Sequence, residues 1–288
     1  MKLLFAALAL LVFTACGARE AQNPQQFDTI ISIGPSITEI LAELGFAENI
    51  IATDTFSDNI PGISPEIAVL DMMALDLEYI MNLEPDYVFV TGIIRQGGED
   101  DPLNILSNMD ISVFYIETSA SIAEIKDDIR FIAQTLDVLP RGEEIVAHMA
   151  AEIAQIRAIS AEIANERTVY FEVSPVPHMV TFGMGTFLHE MLEIAGAVNI
   201  FGEREGWFAL GDEVILDANP DVILTTVNFI DNPIQEILNR PGWDAITAVQ
   251  NADVFAISTD SSNRPSHNII LALREIARAV YPEYFNEN

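Results

Sequence analysis

Cysteine is almost missing from this chain of 288 residues: one is present, at position 16. A single thiol excludes any disulfide within the chain. Its place ahead of the folded body also rules it out as a catalytic nucleophile. Basic residues are scarce too. Thirteen Lys and Arg face 44 Asp and Glu, for a net charge of -31. A nucleic-acid binder needs a Lys/Arg footprint to displace counterions, so DNA and RNA are excluded as partners. The same shortage argues against adhesion of the folded part to anionic lipid. Histidine is limited to His148, His178, His189 and His267. Direct capture of a metal ion needs several His and carboxylate ligands converging at about 2 Å, so no metal site is expected. His189-Glu190 opens like a zinc-protease motif, but Glu193 stands in the place of the second histidine. There is no G-x-S-x-G elbow and no Walker A loop. These absences point away from an enzyme, with no catalytic residue and no resident cofactor. Beyond residue 16, no apolar run approaches the ~20 residues needed to cross a membrane as a helix.

Half of the residues are hydrophobic, enough apolar material for two cores. The acidity runs through both halves and reads as a solubility or salt-adaptation surface. An acidic patch for a cationic ligand is the alternative. Residues 1–16 read MKLLFAALALLVFTAC. Lys2 gives a short positive start, and Leu3 to Phe13 form an apolar stretch of signal-peptide length. The close of this leader resembles a bacterial lipobox, with Phe13 where leucine is usual. That implies a signal peptide over 1–15 and lipidation of Cys16, and hence a membrane held by the lipid anchor only. An ordinary signal peptide with an incidental cysteine is the alternative. Residues 16–26 are polar and aperiodic and read as a tether.

The body reads as an α/β pattern written twice. Thr29 to Ile33 is β-rich, Gly34-Pro35-Ser36 breaks it, and Ile37, Ile40, Leu41 and Leu44 recur at helical spacing. Ser36 and Thr38 either touch a ligand or cap this helix. Pro85-Asp86 leads into the apolar run Tyr87 to Val90, typical of a buried parallel strand. Later, Val169 to Val173 is a strand, Phe187 to Ala195 is helical, and Pro220-Asp221 leads into Val222 to Leu224. Residues 38–51 resemble 188–201, and 77–90 resemble 212–225. Glu78 precedes Pro85 by the same seven residues that separate Glu213 from Pro220. Between the halves, Ile145, Met149, Ile153, Ile156, Ile159 and Ile163 recur every three or four residues from Arg141 to Asn165. About 24 residues at 1.5 Å each predict a helix of roughly 36 Å, long enough to link two lobes and stiff enough to limit hinge closure. The expected division is a first lobe over 27–139, a linking helix over 140–165 and a second lobe over 166–288. The fold class is α/β: two Rossmann-like lobes with central β-sheets, joined by one long α-helix.

On Ile30 to Leu44, Phe56-Ser57-Asp58, Leu77 to Val90, the linking helix, Phe187 to Phe201 and Asp212 to Leu224, the chain resembles a known family. It looks like the substrate-binding proteins of ATP-driven importers for cobalamin, ferric siderophores and haem. The resemblance implies a monomer with a ligand cleft between the lobes, outside the cytoplasm, whose guest itself carries cobalt or iron. It implies docking to the importer's transmembrane subunits through one surface glutamate per lobe, here Glu78 and Glu213. Charge-assisted pairs with arginine would steer and register such a complex; an ordinary acidic residue at a helix start is the alternative. Cobalamin-binding members imply ligand contacts at Phe56, at Trp207 and at the loop pair Asp260 and Arg264, with Met72 where a further tryptophan is usual. Phe56 and Trp207 read equally as core aromatics, and Asp260 and Arg264 as a loop salt bridge. Should the guest be haem, His178 or His267 is open as an axial ligand.

Overall fold

A computed structural model describes residues 28–98 and 101–285. The expected signal peptide, Cys16 and the tether lie outside the described residues.

The first lobe runs β1 (Ile30–Ile33), α1 (Pro35–Glu43), β2 (Ile50–Asp54), β3 (Ala68–Leu70), α2 (Leu77–Asn82), β4 (Tyr87–Thr91), α3 (Asn104–Ser107), β5 (Ser112–Ile116) and α4 (Ile122–Thr135). Its strands form one parallel sheet in the order β3-β2-β1-β4-β5. Helices cover both faces, which is why β4 reads as a continuous apolar run from Tyr87 to Val90 and β1 is buried at every position. The long helix follows as α5 (Leu139–Ser160). The second lobe runs β6 (Thr168–Glu172), β7 (Val180–Phe182), α6 (Phe187–Ile194), β8 (Val198–Asn199), β9 (Trp207–Ala209), α7 (Asp212–Ala218), β10 (Val222–Thr225), α8 (Pro233–Leu238), α9 (Thr247–Asn251), β11 (Val254–Ala256), α10 (Thr259–Asn263), α11 (Ile269–Val280) and α12 (Pro282–Phe285). Its parallel sheet has the order β11-β10-β6-β8, beside a small antiparallel pair, β7 with β9.

The internal likeness read from sequence is structural. Matching β2, β1, β4 and β5 to β8, β6, β10 and β11 gives the same strand order in both sheets. The detail extends to single atoms. Asp86 Oδ2 accepts from Thr29 N and Oγ1 at 2.7 and 2.9 Å, and Asp221 Oδ2 accepts from Thr168 N and Oγ1 at 2.8 Å each. In each lobe this Pro-Asp turn ties the central strand to its neighbour. Before each proline the chain adopts the left-handed backbone, at Glu84 (φ 49°) and Asn219 (φ 47°).

The long helix departs from its expected span in two ways. It ends at Ser160, not Asn165, where the Ser160 hydroxyl lies between the Ile156 carbonyl at 2.9 Å and the Ile194 carbonyl of the second lobe at 2.8 Å and shares its one proton between them. Residues beyond turn back in short i+3 bonds. It is also embedded rather than free-standing. Ile145, Val146, Met149, Ile153 and Ile156 are buried in one hydrophobic core that includes Phe89 of the first sheet and Phe171 of the second. At Gly142 α5 meets α4 so closely that a Cβ would lie 2.6 Å from the Ala133 methyl. Each sheet's outer face has a separate core of its own. The lobes are thus fused along the helix side and separate on the other.

Candidate ligand cleft and docking carboxylates

Between the lobes lies a cavity of about 490 Å³ walled by both, within the 300–1,000 Å³ range of small-molecule sites. The first lobe contributes Ser36, Phe56 and Met72, and the second contributes Asp260 and Arg264. Five of the six residues expected at a ligand are therefore brought together. Trp207 is not among them. It sits on β9, 49% exposed, with its ring edge-on to Phe182 at 5.5 Å. Ser36 is not the cap of α1: Gly34 holds that position and no side chain caps the helix. Thr38 turns inward, completely buried, and bonds to Ser32, Thr53 and Ser57 at 2.7–3.3 Å.

The first-lobe wall is organised by Asp54, which ends β2 and is fully buried. Its carboxylate accepts from Gly34 N at 2.8 Å, Ser57 Oγ at 2.7 Å and Phe56 N at 2.8 Å. One side chain thus fixes both the Gly34-Pro35-Ser36 turn and the loop that presents Phe56. Gly34 is required where it stands, with φ 136° and Thr91 Cβ 3.3 Å from any added Cβ.

Asp260 and Arg264 pair at 3.0 Å, as the loop-salt-bridge reading anticipated, yet the pair does more than close a loop. Arg264 reaches across to the first lobe, donating to Glu39 Oε1 at 3.1 Å, the Phe56 carbonyl at 3.1 Å and Asn59 Oδ1 at 3.0 Å. Asn59 Nδ2 donates to Asp260 at 2.8 Å. Glu39, 6% exposed on α1, also accepts from Asn268 Nδ2 at 3.0 Å and from Ser266 Oγ. A buried carboxylate of one lobe is satisfied by three side chains of the other. Most of the five guanidinium donors are committed to this tie.

The remaining charges in the cavity wall are Glu117 and Asp128. Glu117 pairs with Arg95 at 3.0 Å in an exposed setting. Asp128 has no ion-pair partner among the described residues. Burial first, then the nearby Glu124, Asp127 and Glu117, push its carboxyl up to about 6, against the 2.5 Å bond it accepts from Ser119. No histidine or tyrosine lines the cavity. His178 is exposed. His267 is partly buried beside Glu43, and desolvation lowers its pKa. Among the described residues no group of three or more His, Cys, Asp or Glu side chains is placed to hold a metal ion.

Glu78 and Glu213 lie in the first turns of α2 and α7, both exposed. Each is followed by an exposed apolar side chain, Tyr79 or Val214, and then by a fully buried isoleucine, Ile80 or Ile215. Neither carboxylate has an ion-pair or hydrogen-bond partner among the described residues.

Residues 30–260 match the model of a protein family described as periplasmic binding protein. The chain belongs to that family. Members of the periplasmic binding protein family are solute-binding proteins of the extracytoplasmic space. An ABC transporter substrate-binding lipoprotein of Bacillus subtilis, YvrC, which is uncharacterised, is 28% identical over 90% of this chain and 81% of its own. A vitamin B12-binding protein of Vibrio cholerae is 25% identical over 88% of this chain and 89% of its own. A solved structure of a possible iron-binding, periplasmic solute-binding protein of Staphylococcus epidermidis superposes with a TM-score of 0.78 at 28% identity. It covers 89% of this chain and all of that one.

Asp54, Glu39, Asn59 and Asp128 were missed in the sequence. Asp54 carried a usable signal, a strand-ending Asp three residues before Ser57. Glu39 and Asn59 carried none, because their partners lie more than 200 residues away.

Proposed function

We propose that this protein captures a corrinoid of the cobalamin type in the interlobe cavity and delivers it to an ABC importer. It acts as a receptor outside the cytoplasm, tethered through Cys16, and not as an enzyme. The observation that carries the reading is the charge of the cavity wall. It presents the carboxylates of Glu117, Asp128 and Asp260, with Arg264 as its one cation, and Arg264 is engaged by Glu39 and Asp260. A corrinoid brings a ring of neutral amides, whose N–H groups suit carboxylate and Asn acceptors, and a broad apolar body that suits Phe56, Met72 and Ile93. Haem brings two propionates and a catecholate ferric siderophore a net negative charge, both repelled here. Haem also lacks an imidazole or phenol ligand in this wall. A corrinoid is larger than 490 Å³, so the wall grips part of it.

Docking rests on the matched setting of Glu78 and Glu213: free carboxylates on equivalent turns, each beside an exposed apolar side chain. The Bacillus relative's name supports an ABC importer as the partner, and the Vibrio relative's name supports the corrinoid. Calorimetric titration with cyanocobalamin, haemin, a ferric hydroxamate and a ferric catecholate tests the ligand. One-to-one binding of cyanocobalamin, at least tenfold tighter than the other three, is expected. Preference for haemin or the catecholate contradicts the charge reading.

A further inference from the structure

Acidic residues outnumber basic ones by more than three to one here, so a cation on this surface has carboxylates to choose from. The arginines largely do so: Arg95, Arg130, Arg141, Arg167, Arg240 and others form ion pairs. Arg204 lies over the Phe208 ring at 3.6 Å. Among the described residues, the side chains of Lys126 and Arg157 have neither ion pair, hydrogen bond nor ring contact, and they line the same crevice. It holds about 340 Å³ between α4, α5 and α6 and shares no lining residue with the ligand cavity, with Arg130 as a third cation and Ile122, Ile153 and Ile194 in its walls. Two carboxylates also line it, one held in an ion pair and one bonded to a backbone N–H. Asp127 holds Arg130 at 3.1 Å, and Glu190 accepts from Ile122 N at 3.0 Å. Burial, then the Arg130 and Arg157 guanidiniums, lower the Lys126 pKa, with Glu190 only partly opposing.

Leaving like charges together unpaired costs free energy, and an acidic chain has no shortage of ways to avoid it. We propose that this crevice binds a phosphate-type oxyanion through Lys126 and Arg157, with Arg130 at its edge. A guanidinium fork and an ammonium from two helices match the oxygens of a tetrahedral anion. Because α4 belongs to the first lobe and α6 to the second, the bound anion sits at the lobe junction. Free phosphate and a phospholipid headgroup share this chemistry.

Lys126 offers a direct probe. The chain contains two lysines, Lys2 and Lys126, so lysine labelled at 13Cε in the full chain gives two signals, assigned with Lys126→Gln. Inorganic phosphate added at constant ionic strength is expected to shift the Lys126 signal saturably and raise its pKa. Arg157→Gln, at an exposed position, weakens that response about tenfold. Phosphatidylglycerol vesicles, with phosphatidylcholine as control, separate the sources. A response to phosphate assigns the free anion. A response confined to phosphatidylglycerol and lost in Arg157→Gln assigns the headgroup. A Lys126 signal that follows ionic strength alone, or a phosphate response unchanged in Arg157→Gln, overturns the proposal.

Discussion

Asp128 shows how a single side chain reports its surroundings. Its carboxyl faces the cavity without an ion-pair partner among the described residues and is pushed up to about 6, burial being the largest cause. The unfolded chain releases this proton near pH 3.8, so between about pH 4 and pH 6 the folded state holds more protons than the unfolded. Stability from this group is therefore present below about pH 4 and lost as pH rises through about 6. Asp128→Asn removes the effect. The difference in Tm between variant and wild type is expected to rise in the variant's favour across that window and stay level above it. A difference curve flat from pH 4 to 7 contradicts the assignment. None of this was legible in the sequence, where Asp128 is one acid among 44. Nor was the placement of Trp207. An aromatic beside a suspected cleft reads the same whether it faces a ligand or, as here, lies edge-on to Phe182.

At the scale of elements, local pattern was a good guide where local physics decides. Period 3.6 gave α1, α5 and α6, a β-rich run ended by Gly34-Pro35 gave β1, and continuous apolar runs gave β4 and β10 because both faces of each sheet are covered. The apolar period of α5 runs on to Ile163, whereas the helix stops at Ser160, where its hydroxyl meets the Ile194 carbonyl of the second lobe, a tertiary contact that periodicity does not carry. The tie between α1 and residues 264–268 was invisible for the same reason. That tie joins elements 225 residues apart and is buried. Removing Glu39 leaves Arg264 with Asp260 as its remaining carboxylate and leaves the Ser266 and Asn268 donors without their acceptor, at a cost of about 1–3 kcal/mol for each buried group. Glu39→Ala is accordingly expected to lower Tm on the order of 10 °C, measured by calorimetry without ligand. A drop within 2 °C would show that the tie contributes no net stability.

The whole molecule joins a fused side to an open one. The shared core along α5 holds the lobes in a nearly fixed relation, and the Glu39–Arg264 tie pins them again at the cavity wall. A receptor so braced presents Glu78 and Glu213 at a set spacing, which suits a partner that must engage both at once. The repeat made this arrangement readable from sequence, since two similar units place their equivalent turns in equivalent surroundings. What the sequence left open was which lobe-to-lobe contacts hold them. The decisive measurement is uptake of labelled cyanocobalamin through the cognate importer by the Glu78→Ala, Glu213→Ala double variant, with affinity measured on the same protein. Uptake reduced at least tenfold with affinity unchanged is the predicted result. Normal uptake, or an affinity that falls along with it, would contradict a receptor that binds between its lobes and docks through these two carboxylates.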